Sequence, residues 1–600
     1  MNLERALTTA VRAARAAGAL LLDDFHRTGG PRGHGDKAEA DVEAERQIRG
    51  RLQEVFPEWG YLGEETGRAP GKAGAPIWLV DPNDGTRDYL VGRRGSTVSI
   101  ALLHERRPVL GVVFSFCYPD DDGDLFCFAE GCGPLRRNDV ALAPELPKEL
   151  TPHSVILVSS KGDRAPESNL RAALPGRYRP VPSIAHRLAL VAAGEAAVAT
   201  SIHAPGAWDY GAGHALLRGV GGLLVNEAGQ EITYAEDGSS SSRCAFGGGA
   251  ILAFEMAKRP WELTLHSDPS PPVGAALRRG EALRDSGLLS RAQGSLLAQI
   301  AGDSLGSLVE FQTAEKIAAA YPEGLSELAD GGTWHTLAGQ PTDDSEMALA
   351  LARSIVAKGA YEVESTLEAY RRWYRSGPFD VGQTTRAALL GYLMAGSEAN
   401  GSLMRASPLG IFAHALPMER AAELARLDSA LTHPNRVPCD AAAAFVVGLA
   451  HAVSDGDGGE GAYQAALGWA RGGGADPKVL GALERARSEP PRSDGENQGW
   501  ALIALQGAFY EALHASTLEE GVVRAVARGG DTDTNAAIAG ALLGAIHGRR
   551  AVPAQWRSMI LSCRPHPAAA RNPRPMEYWP GDALELAELL VLAGAAPKAR

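Results

Sequence analysis

Residues 529–548 read GGDTDTNAAIAGALLGAIHG, and they predict more of the fold than any other stretch of this 600-residue chain. Small and apolar residues recur at helical spacing after Asn535, so the stretch predicts an α-helix that packs closely against its neighbours. Asp531 and Asp533 stand at the start of this helix, where acidic side chains act as N-terminal caps. Coincidental capping is one interpretation, but two carboxylates bring more negative charge than a cap requires, which favours a metal site.

An acidic helix start of the same kind lies earlier in the chain, where TDDS (342–345) precedes the apolar stretch MALALARSIV. Ala, Leu, Glu and Arg with helical periodicity fill most of residues 289–600, so this half is predicted to be all-α. Segments rich in Gly and Pro separate the helices. Two of them are expected to be surface loops, SDGDGGEG at 454–461 and RSEPPRSDGENQG at 487–499.

Residues 1–262 carry a mixed α/β pattern. An amphipathic helix opens the chain, and a second helix is predicted at 41–56. Short apolar or β-branched runs bounded by turn residues predict strands at 77–80, 96–103, 110–116 and 155–158. The next segment contains HSDPSPPVGAA, whose proline- and serine-rich composition is typical of a linker. The sequence therefore predicts two domains, 1–262 and 289–600, joined by a linker at 263–288.

Composition restricts the classes of partner. The formal net charge is −13, from 59 Lys and Arg against 72 Asp and Glu. An acidic surface repels a phosphate backbone, so nucleic-acid binding is not expected, whereas small phosphorylated substrates remain compatible because a bound metal reverses the local field. Charges interrupt the opening helix and no run of about 18 uncharged apolar residues occurs, so neither a signal peptide nor a membrane span is expected. Six scattered cysteines without a CxxC pair favour reduced thiols and a cytoplasmic location.

The first half contains three acidic motifs in order: Glu64-Glu65, DPNDGT at 81–86 and Trp208-Asp209. Asp81 follows the apolar strand IWLV, and Pro82 and Gly85 favour a turn there, so Asp81 and Asp84 can point at one spot. Two unit charges 4 Å apart repel by about 4 kcal/mol at an effective dielectric of 20. A buried cluster therefore needs a divalent cation or protons, and oxygen ligands select Mg²⁺, Mn²⁺ or Ca²⁺ over zinc. For DPNDGT alone, a solvated turn that caps a helix is the alternative.

These motifs resemble those of the inositol monophosphatase superfamily, and the resemblance covers nearly all of residues 1–260. It implies an α/β layered sandwich of the sugar-phosphatase type that binds two or three Mg²⁺, with Mn²⁺ as an alternative. The implied metal ligands are Glu64, Asp81, the carbonyl of Asn83, Asp84 and Asp209. Thr86, paired with Asp41, would orient the attacking water, and the amides of Gly85 and Thr86 would bind the phosphate. Asn83 stands where the superfamily usually has an apolar residue. Glu65 is either a neighbour of the ligands or merely exposed.

The stretch DYLVGRRGSTVSIALL (88–103) resembles the bisphosphate-nucleotidase branch of that superfamily more than the inositol branch. Arg93 and Arg94 could therefore bind a second phosphate. The alternative is that both are solvated loop arginines.

Five motifs in the second half occur in order: GDSLG (302–306) with Glu310, TDDS, NGSLMR (400–405), LTHPN (431–435) and GGDTDTN. They resemble the ADP-ribosylglycohydrolase family, including its dinitrogenase-reductase-activating type, over about residues 290–595. The resemblance implies an all-α orthogonal helical bundle with two Mg²⁺. The implied ligands are Thr342, Asp343, Asp344, Asp531, Asp533 and Thr534. Glu310 and Asp533 would take part in catalysis, and the residues expected to line the ADP-ribose pocket are Asn400, Gly401, Ser402 and His433.

Three residues of these motifs allow two interpretations. His433 is a ligand contact or a plain structural histidine. Asp303 is expected to fix the GDSLG turn, with a catalytic role as the alternative, and Arg405 either is or is not a buried ion-pair partner.

The two resemblances together predict a bifunctional hydrolase. The first domain would hydrolyse a phosphomonoester, on a nucleotide or on an inositol or sugar phosphate. The second would hydrolyse an ADP-ribosyl N- or O-glycosidic bond on a protein or a small molecule. One alternative is an ADP-ribose- or nucleotide-binding scaffold with an inactive domain, and another is sequential processing of one phosphorylated ADP-ribose derivative. The sequence leaves open the phosphate ester, the ADP-ribosyl acceptor and the oligomeric state.

Overall fold

The computed structural model describes residues 1–261, 274–493, 495 and 497–595. The chain divides into two compact units. The first comprises Met1–Pro272 and Leu277–Arg284, and the second Val273–Ala276 and Asp285–Arg600. Of the predicted linker, residues 263–273 lie outside the described residues.

The described part of the predicted linker is not simply a connection. Residues 277–284 belong to the first unit, where Arg94 Nη2 donates to the Leu283 carbonyl at 2.7 Å and Arg279 donates to the Pro31 carbonyl. A helix begins at Ser286, inside the predicted linker, because Asp285 accepts from the Leu288 amide and caps it. Composition predicts an irregular segment, but it does not show which hydrogen bonds attach that segment to the rest of the unit.

Two sheets with helices on their faces form the first unit. The strands are β1 (Gly33–His34), β2 (Lys37–Ala38), β3 (Gly60–Gly63), β4 (Gly67–Ala69), β5 (Ile77–Asp84), β6 (Thr97–His104), β7 (Arg107–Ser115), β8 (Asp124–Ala129), β9 (Arg136–Arg137), β10 (Val140–Ala141), β11 (Val155–Val158), β12 (Arg177–Pro180), β13 (Val198–Ser201), β14 (Leu223–Val225) and β15 (Ala245–Gly248). The helices are α1 (Leu3–Phe25), α2 (Glu39–Val55), α3 (Thr86–Leu90), α4 (Pro166–Ala173), α5 (Ile184–Ala192), α6 (Ala207–Gly219) and α7 (Ala250–Ala257).

The first unit is built in layers because successive side chains of its strands point to opposite faces of each sheet. The larger sheet has the order β10-β9-β8-β7-β6-β5-β3-β4, and the smaller β12-β11-β13-β15-β14. Trp78 and Val80 of β5 point into the core beneath α1 and α2, whereas Leu79 points to the opposite face, against Gly211 of α6. Helices α5 and α6 contact both sheets, and α4 and α7 cover the far face of the smaller one. The predicted α/β layered sandwich is confirmed.

Strand β5 runs further than its sequence predicts. The pattern predicts a strand that ends before Asp81, but β5 extends to Asp84, which pairs with Thr97 after a register shift from the Asp81–Ser99 pair. Pro82 has no amide hydrogen to donate to the neighbouring strand, so the pairing is interrupted there by a bulge. Pairing with β6 resumes at Asp84. The bulge lies within the acidic motif.

The second unit is helical, as predicted. Its helices are α8 (Ser286–Gly306), α9 (Ala314–Ala320), α10 (Asp343–Lys358), α11 (Val363–Arg375), α12 (Gln383–Leu389), α13 (Ser407–Phe412), α14 (Met418–Ala430), α15 (Arg436–Asp455), α16 (Gly458–Gly472), α17 (Pro477–Ala486), α18 (Ala501–His514), α19 (Leu518–Ala527), α20 (Thr532–His547), α21 (Ala554–Ser562) and α22 (Ala583–Ala595).

Two local predictions for this unit are wrong. GDSLG is the last turn of α8 and not a loop turn, because its small residues pack against α20. SDGDGGEG is mostly helical, since α15 ends at Asp455 and α16 begins at Gly458. Gly456 adopts φ +67°, a left-handed conformation that glycine accepts easily and that lets one helix end just before the next begins.

Within the described residues, helix α15 is long and apolar enough to cross a membrane, because an 18-residue stretch of it has a mean hydropathy of 1.5. However, 89% of that stretch is buried inside the structure. A core helix of a folded domain has the same composition.

Candidate active sites

Three carboxylates from separate elements meet in the first unit. One carboxylate oxygen from each of Glu64, Asp81 and Asp209 lies within 4.8 Å of the others. Glu64 follows β3, and its amide donates to the Val80 carbonyl at 3.1 Å. Because β3 and β5 are parallel neighbours with Gly63 opposite Val80, the next residues of both strands emerge side by side. The first turn of α6 supplies Asp209.

Asp84 lies beside this cluster but is turned towards α5. Its Oδ2 accepts from the Ser183 hydroxyl at 2.5 Å and from the Ala185 amide at 2.8 Å. Its charge nevertheless raises the pKa of both Asp81 and Asp209, so it is electrostatically part of the cluster. One oxygen of Asp84 is therefore engaged in hydrogen bonds within the unit.

Burial is the main cause of the shifted pKa values in this cluster. It raises the pKa of Asp81 and of Asp209 well above the usual range, and neighbouring carboxylates raise both further. It also raises the pKa of Glu64 to about 7. Such a cluster holds protons at neutral pH unless a cation compensates it. Because the gathered ligands are oxygens, the site fits a hard divalent cation.

Asp41 is fixed by two side chains of the DPNDGT motif. The Thr86 hydroxyl donates to its Oδ2 at 2.9 Å, and Asn83 Nδ2 donates to its Oδ1 at 2.9 Å. The structure thus brings the expected Thr86–Asp41 pair together and gives Asn83 a side-chain contact that the sequence did not predict. Gly85 has φ +105° at the start of α3, a conformation that favours glycine.

A second carboxylate cluster lies in the second unit. One oxygen from each of Glu310, Asp380 and Asp533 lies within 4.8 Å of the others. Two hydrogen bonds place Glu310 beside the GGDTDT motif: the Phe311 amide donates to the Gly530 carbonyl, and the Gly530 amide donates back to the Gln312 carbonyl, each at 2.8 Å. Asp380 comes from the loop before α12.

TDDS is held at the start of α10 by a buried carboxylate of α8. Asp303 Oδ2 accepts from the amides of Thr342 and Ser345, each at 3.1 Å. Thr342 occupies the N-cap position, but its hydroxyl donates to Asp344 Oδ2 at 3.1 Å and does not cap the helix. The Thr342 side chain therefore does not cap α10, and Asp303 accepts the amides on either side of Asp343 and Asp344 instead.

GGDTDT approaches TDDS from the start of α20. Asn400 Nδ2 donates to Asp531 Oδ2 at 2.7 Å. Helix α10 contacts α20, and the charge of Asp531 raises the pKa of Asp344, so the acidic starts of the two helices act on each other. Within the described residues, Asp344 Oδ1 is buried and lacks a hydrogen-bond partner. A buried carboxylate oxygen without a hydrogen-bond partner fits the role of a metal ligand.

Burial again dominates the pKa shifts of this cluster. It raises the pKa of Asp343 to about 7, of Glu310 to about 8 and of Asp380 to about 9. Neighbouring carboxylates contribute to each shift. The arrangement fits divalent cations held by oxygen ligands.

Two family models match the chain. The inositol monophosphatase family model matches residues 2–246, and the ADP-ribosylglycohydrolase model matches residues 284–591. ADP-ribosyl-(dinitrogen reductase) glycohydrolase of Rhodospirillum rubrum is 30% identical over 282 residues, covering 45% of this chain and 90% of that protein. Inositol monophosphatase 1 of Solanum lycopersicum is 31% identical over 245 residues, covering 38% of this chain and 87% of that protein. The chain belongs to both families.

Both families and their named relatives are hydrolases, so the chain is an enzyme of the hydrolase class. ADP-ribosylarginine hydrolase Tri1 of Pseudomonas putida is also similar, with 28% identity over 288 residues that cover 45% of this chain and 73% of that protein. The first unit is hereafter the phosphatase domain, and the second the glycohydrolase domain.

Glu45 is a residue of the phosphatase domain that sequence reasoning missed. It is fully buried, and it accepts from the Glu65 amide at 2.6 Å, from the Thr66 amide at 2.9 Å and from the Thr66 hydroxyl. These bonds fix the turn that carries Glu64. Glu45 stands one helical turn after Asp41 in α2, and that spacing is the signal that could have found it. The Glu65 side chain itself is exposed.

Neither interpretation of the arginine pair describes Arg94. It is buried, and its guanidinium donates to Asp121 at 2.6 Å and to the Cys117 carbonyl at 3.0 Å. Arg93 pairs with Asp88 at 2.6 Å. Both arginines are engaged within the domain. For Arg94 the local sequence could not indicate this, because Asp121 lies on a later loop.

Asp380 is the residue of the glycohydrolase domain that sequence reasoning missed. Its surrounding sequence, PFDVG, has no helical periodicity and no acidic neighbour. Only the packing of the loop brings it to Glu310 and Asp533. The Gly382 amide, two residues later, donates to Asp343 Oδ2 at 3.2 Å and ties the loop to α10.

The predicted pocket residues divide into two groups. Asn400 contacts Asp531 of the GGDTDT motif, and a Cβ on Gly401 would lie 3.0 Å from Cε1 of His433. Ser402 is fully buried, and its hydroxyl accepts from the Ser429 hydroxyl at 2.8 Å, so its side chain is engaged inside the domain.

Arg405 is a buried ion-pair partner. Its Nε donates to Asp428 Oδ2 at 3.0 Å, and its guanidinium lies 4.3 Å from the centre of the Tyr370 ring.

Proposed function

We propose that the chain is a bifunctional hydrolase that depends on divalent metal ions. The phosphatase domain would hydrolyse a phosphomonoester of a nucleotide or of an inositol or sugar phosphate. The glycohydrolase domain would hydrolyse an ADP-ribosyl N- or O-glycosidic bond on a protein or small molecule. The observation that carries the proposal is that each domain gathers its own cluster of carboxylates with raised pKa values at the motifs of its family.

Mg²⁺ is the proposed cofactor, with two or three ions in the phosphatase domain and two in the glycohydrolase domain, and with Mn²⁺ as an alternative. Oxygen-only ligand sets support this choice over zinc. When bound, the cations would supply Lewis-acid charge that polarises the scissile group and favours deprotonation of water. The ligands proposed for the first site are Glu64, Asp81, the Asn83 carbonyl, Asp84 and Asp209. Those for the second are Thr342, Asp343, Asp344, Asp531, Asp533 and Thr534.

The residues of the phosphatase domain would orient the attacking water and the phosphate. Asp41 accepts the Thr86 hydroxyl proton in a hydrogen bond, so the oxygen of Thr86 can accept a hydrogen bond from water and fix its position. Gly85 has no side chain, and the amides of Gly85 and Thr86 at the start of α3 are available in this proposal for phosphate oxygens.

In the glycohydrolase domain, Glu310 and Asp380 would move protons. They lie together with Asp533 on one side of the cluster, which supports an acid–base role during cleavage of the glycosidic bond. Negative charge there also stabilises an oxocarbenium-like transition state. Two relatives are named as hydrolases of ADP-ribosyl-dinitrogen reductase and of ADP-ribosylarginine, which supports an ADP-ribosylated substrate for this domain. We place the protein in the cytoplasm, a location that its six free cysteines support.

The test is a substrate panel assayed with Mg²⁺ and with EDTA. It contains inositol 1-phosphate, adenosine 3′,5′-bisphosphate, and ADP-ribosyl-arginine and ADP-ribosyl-serine peptides. Asp84→Asn should lower phosphate release by about 100-fold or more and leave ADP-ribose release unchanged, and Asp533→Asn should do the reverse. The activity that each variant retains shows that the rest of the protein is folded. The exposed Asp23→Asn controls for the loss of one negative charge. Unchanged phosphatase activity in Asp84→Asn would contradict the first assignment.

Other outcomes would favour the alternatives. Tight binding of ADP-ribose without turnover of any ADP-ribosyl donor would indicate a scaffold. Conversion of one phosphorylated ADP-ribose compound in two steps, each blocked by one of the two variants, would indicate sequential processing.

A further inference from the structure

His433 ends a chain of buried polar groups that begins at Asp428. Arg405 is fully buried, and its Nε and Nη2 donate to Asp428 Oδ2 and to the Asp428 carbonyl at 3.0 and 2.8 Å. Its Nη1 donates to the Thr432 hydroxyl oxygen at 2.9 Å. A guanidinium can only donate hydrogen bonds, so the orientation of this contact is unambiguous.

The Thr432 hydroxyl also contacts the ring of His433. Its hydroxyl oxygen lies 2.7 Å from His433 Nδ1, and both residues are buried. A hydroxyl has one proton and two lone pairs, and one lone pair here accepts from Arg405. Among the described residues, Nδ1 is the acceptor within reach of the hydroxyl proton, so this buried proton would have no acceptor if Nδ1 were itself protonated. Nδ1 is therefore the unprotonated nitrogen, and a neutral ring then carries its proton on Nε2.

The ring is neutral at physiological pH. Burial lowers the pKa of His433 to about 3, and the positive charge of Arg405 lowers it in the same direction. Protonation of the ring would place a second positive charge in a buried chain that already contains a guanidinium.

The Nε2 edge of the ring faces the turn that begins the NGSLMR motif. A Cβ on Gly401 would lie 3.0 Å from Cε1 and 3.2 Å from Nε2, so the ring packs closely against this turn and a side chain larger than glycine would crowd it. The preceding residue, Asn400, donates at 2.7 Å to Asp531 of the GGDTDT motif. The edge of the imidazole thus lies next to a turn that contacts this motif.

We propose that Arg405, acting through Thr432, fixes His433 as the tautomer protonated on Nε2, which then donates a hydrogen bond to an acceptor oxygen of the ADP-ribosyl ligand. The ligand part of this inference rests on the function proposed for the glycohydrolase domain. His433 would be the binding residue, and Thr432 and Arg405 would be positioning residues. A fixed donor is favourable because phosphate and ribose oxygens present lone pairs, which an unprotonated Nε2 would repel.

Nitrogen NMR of histidine-labelled protein measures the tautomer directly. In the wild type, the His433 signals should show a protonated Nε2 and an unprotonated Nδ1. Thr432→Val should remove this preference and weaken binding of ADP-ribose, measured by calorimetry with Mg²⁺, by about 10-fold. Thr432→Ser keeps the hydroxyl and should restore both. Thr366→Val is the matched control, because the buried Thr366 hydroxyl has no partner within the described residues.

Different results would overturn different parts. A wild-type ring protonated on Nδ1 would overturn the assignment of the tautomer by Arg405 and Thr432, whatever the variants do. The test therefore does not depend on folding of Thr432→Val. Wild-type affinity in a folded Thr432→Val would overturn the ligand contact. Failure of the wild type to bind ADP-ribose would overturn the proposed function and the ligand contact together. The NMR signals of the ring would still decide whether Arg405 and Thr432 fix its tautomer.

Discussion

Glu45 and Asp303 are fully buried carboxylates that accept backbone amides next to proposed metal ligands. Glu45 holds the amides that follow Glu64, and Asp303 holds those on either side of Asp343 and Asp344. A carboxylate that accepts two amides is well stabilised when buried, and the amides fix the direction of the adjacent side chains. At the scale of single residues, both candidate sites therefore depend on carboxylates that need not contact an ion themselves.

Substitution of Glu45 should separate positioning from folding. Glu45→Gln removes the charge that strengthens the bonds to the Glu65 and Thr66 amides, so the turn that carries Glu64 should lose its fixed direction. The Mg²⁺ concentration for half-maximal phosphatase activity should rise by about 10-fold. Glu43→Gln on the same helix is the control, since Glu43 is exposed and pairs with Arg32 at the surface. An unchanged Mg²⁺ requirement in Glu45→Gln would show that the turn does not need this carboxylate.

Helices α8 and α20 approach each other through glycine at several levels. A Cβ on Gly302 would lie 2.1 Å from the Ala536 carbonyl oxygen, and one on Gly544 would lie 2.1 Å from the Gly294 carbonyl oxygen. A Cβ on Gly306 would lie 2.4 Å from the Cα of Asp533. The small residues after GGDTDT therefore set how close Asp533 comes to the end of α8. At the scale of elements, this packing holds the acidic start of α20 against the end of α8, and Asp303 of α8 binds the acidic start of α10.

Gly302→Ala should disturb both stability and activity of the glycohydrolase domain. The added methyl group meets a backbone oxygen that cannot rotate away, so the helices must separate, at a cost of about 3 kcal/mol in unfolding free energy. ADP-ribose release should fall while phosphate release stays unchanged. Gly468→Ala, at an exposed helix position with open space around its Cβ, should instead raise the unfolding free energy by about 0.5–1 kcal/mol. Urea unfolding compares the two, and equal stability of Gly302→Ala and wild type would contradict the packing argument.

Both domains concentrate uncompensated negative charge, so the stability of the whole molecule is linked to pH and to metal. In the absence of metal, Asp343, Glu310 and Asp380 have pKa values of about 7, 8 and 9, above the ordinary carboxylate range that they regain on unfolding. The folded state then binds more protons than the unfolded state. Stability is therefore lost as pH rises through the folded pKa values.

Thermal unfolding in EDTA should show this dependence between pH 6.5 and pH 8.5. The Tm should fall as pH rises, and the increase in Tm caused by Mg²⁺ should become larger over the same range. Asp380→Asn should reduce the slope in EDTA by up to about 1.4 kcal/mol per pH unit. The exposed Asp23→Asn, which removes one carboxylate outside the cluster, serves as its control. A Tm in EDTA that rises with pH over this window would contradict the assigned pKa directions.

Local sequence determined the elements and most proposed ligands of this protein, because periodicity and turn residues act over a few neighbouring positions. The acidic starts of α10 and α20, the strand before Asp81 and the helical second half all follow from such patterns. Tertiary structure decided which distant groups meet. It brought in Asp380, gave the cap of α10 to Asp303, turned Asp84 towards α5 and buried Arg94. These contacts join residues far apart in the chain, and their geometry depends on helix and sheet packing that no local pattern encodes.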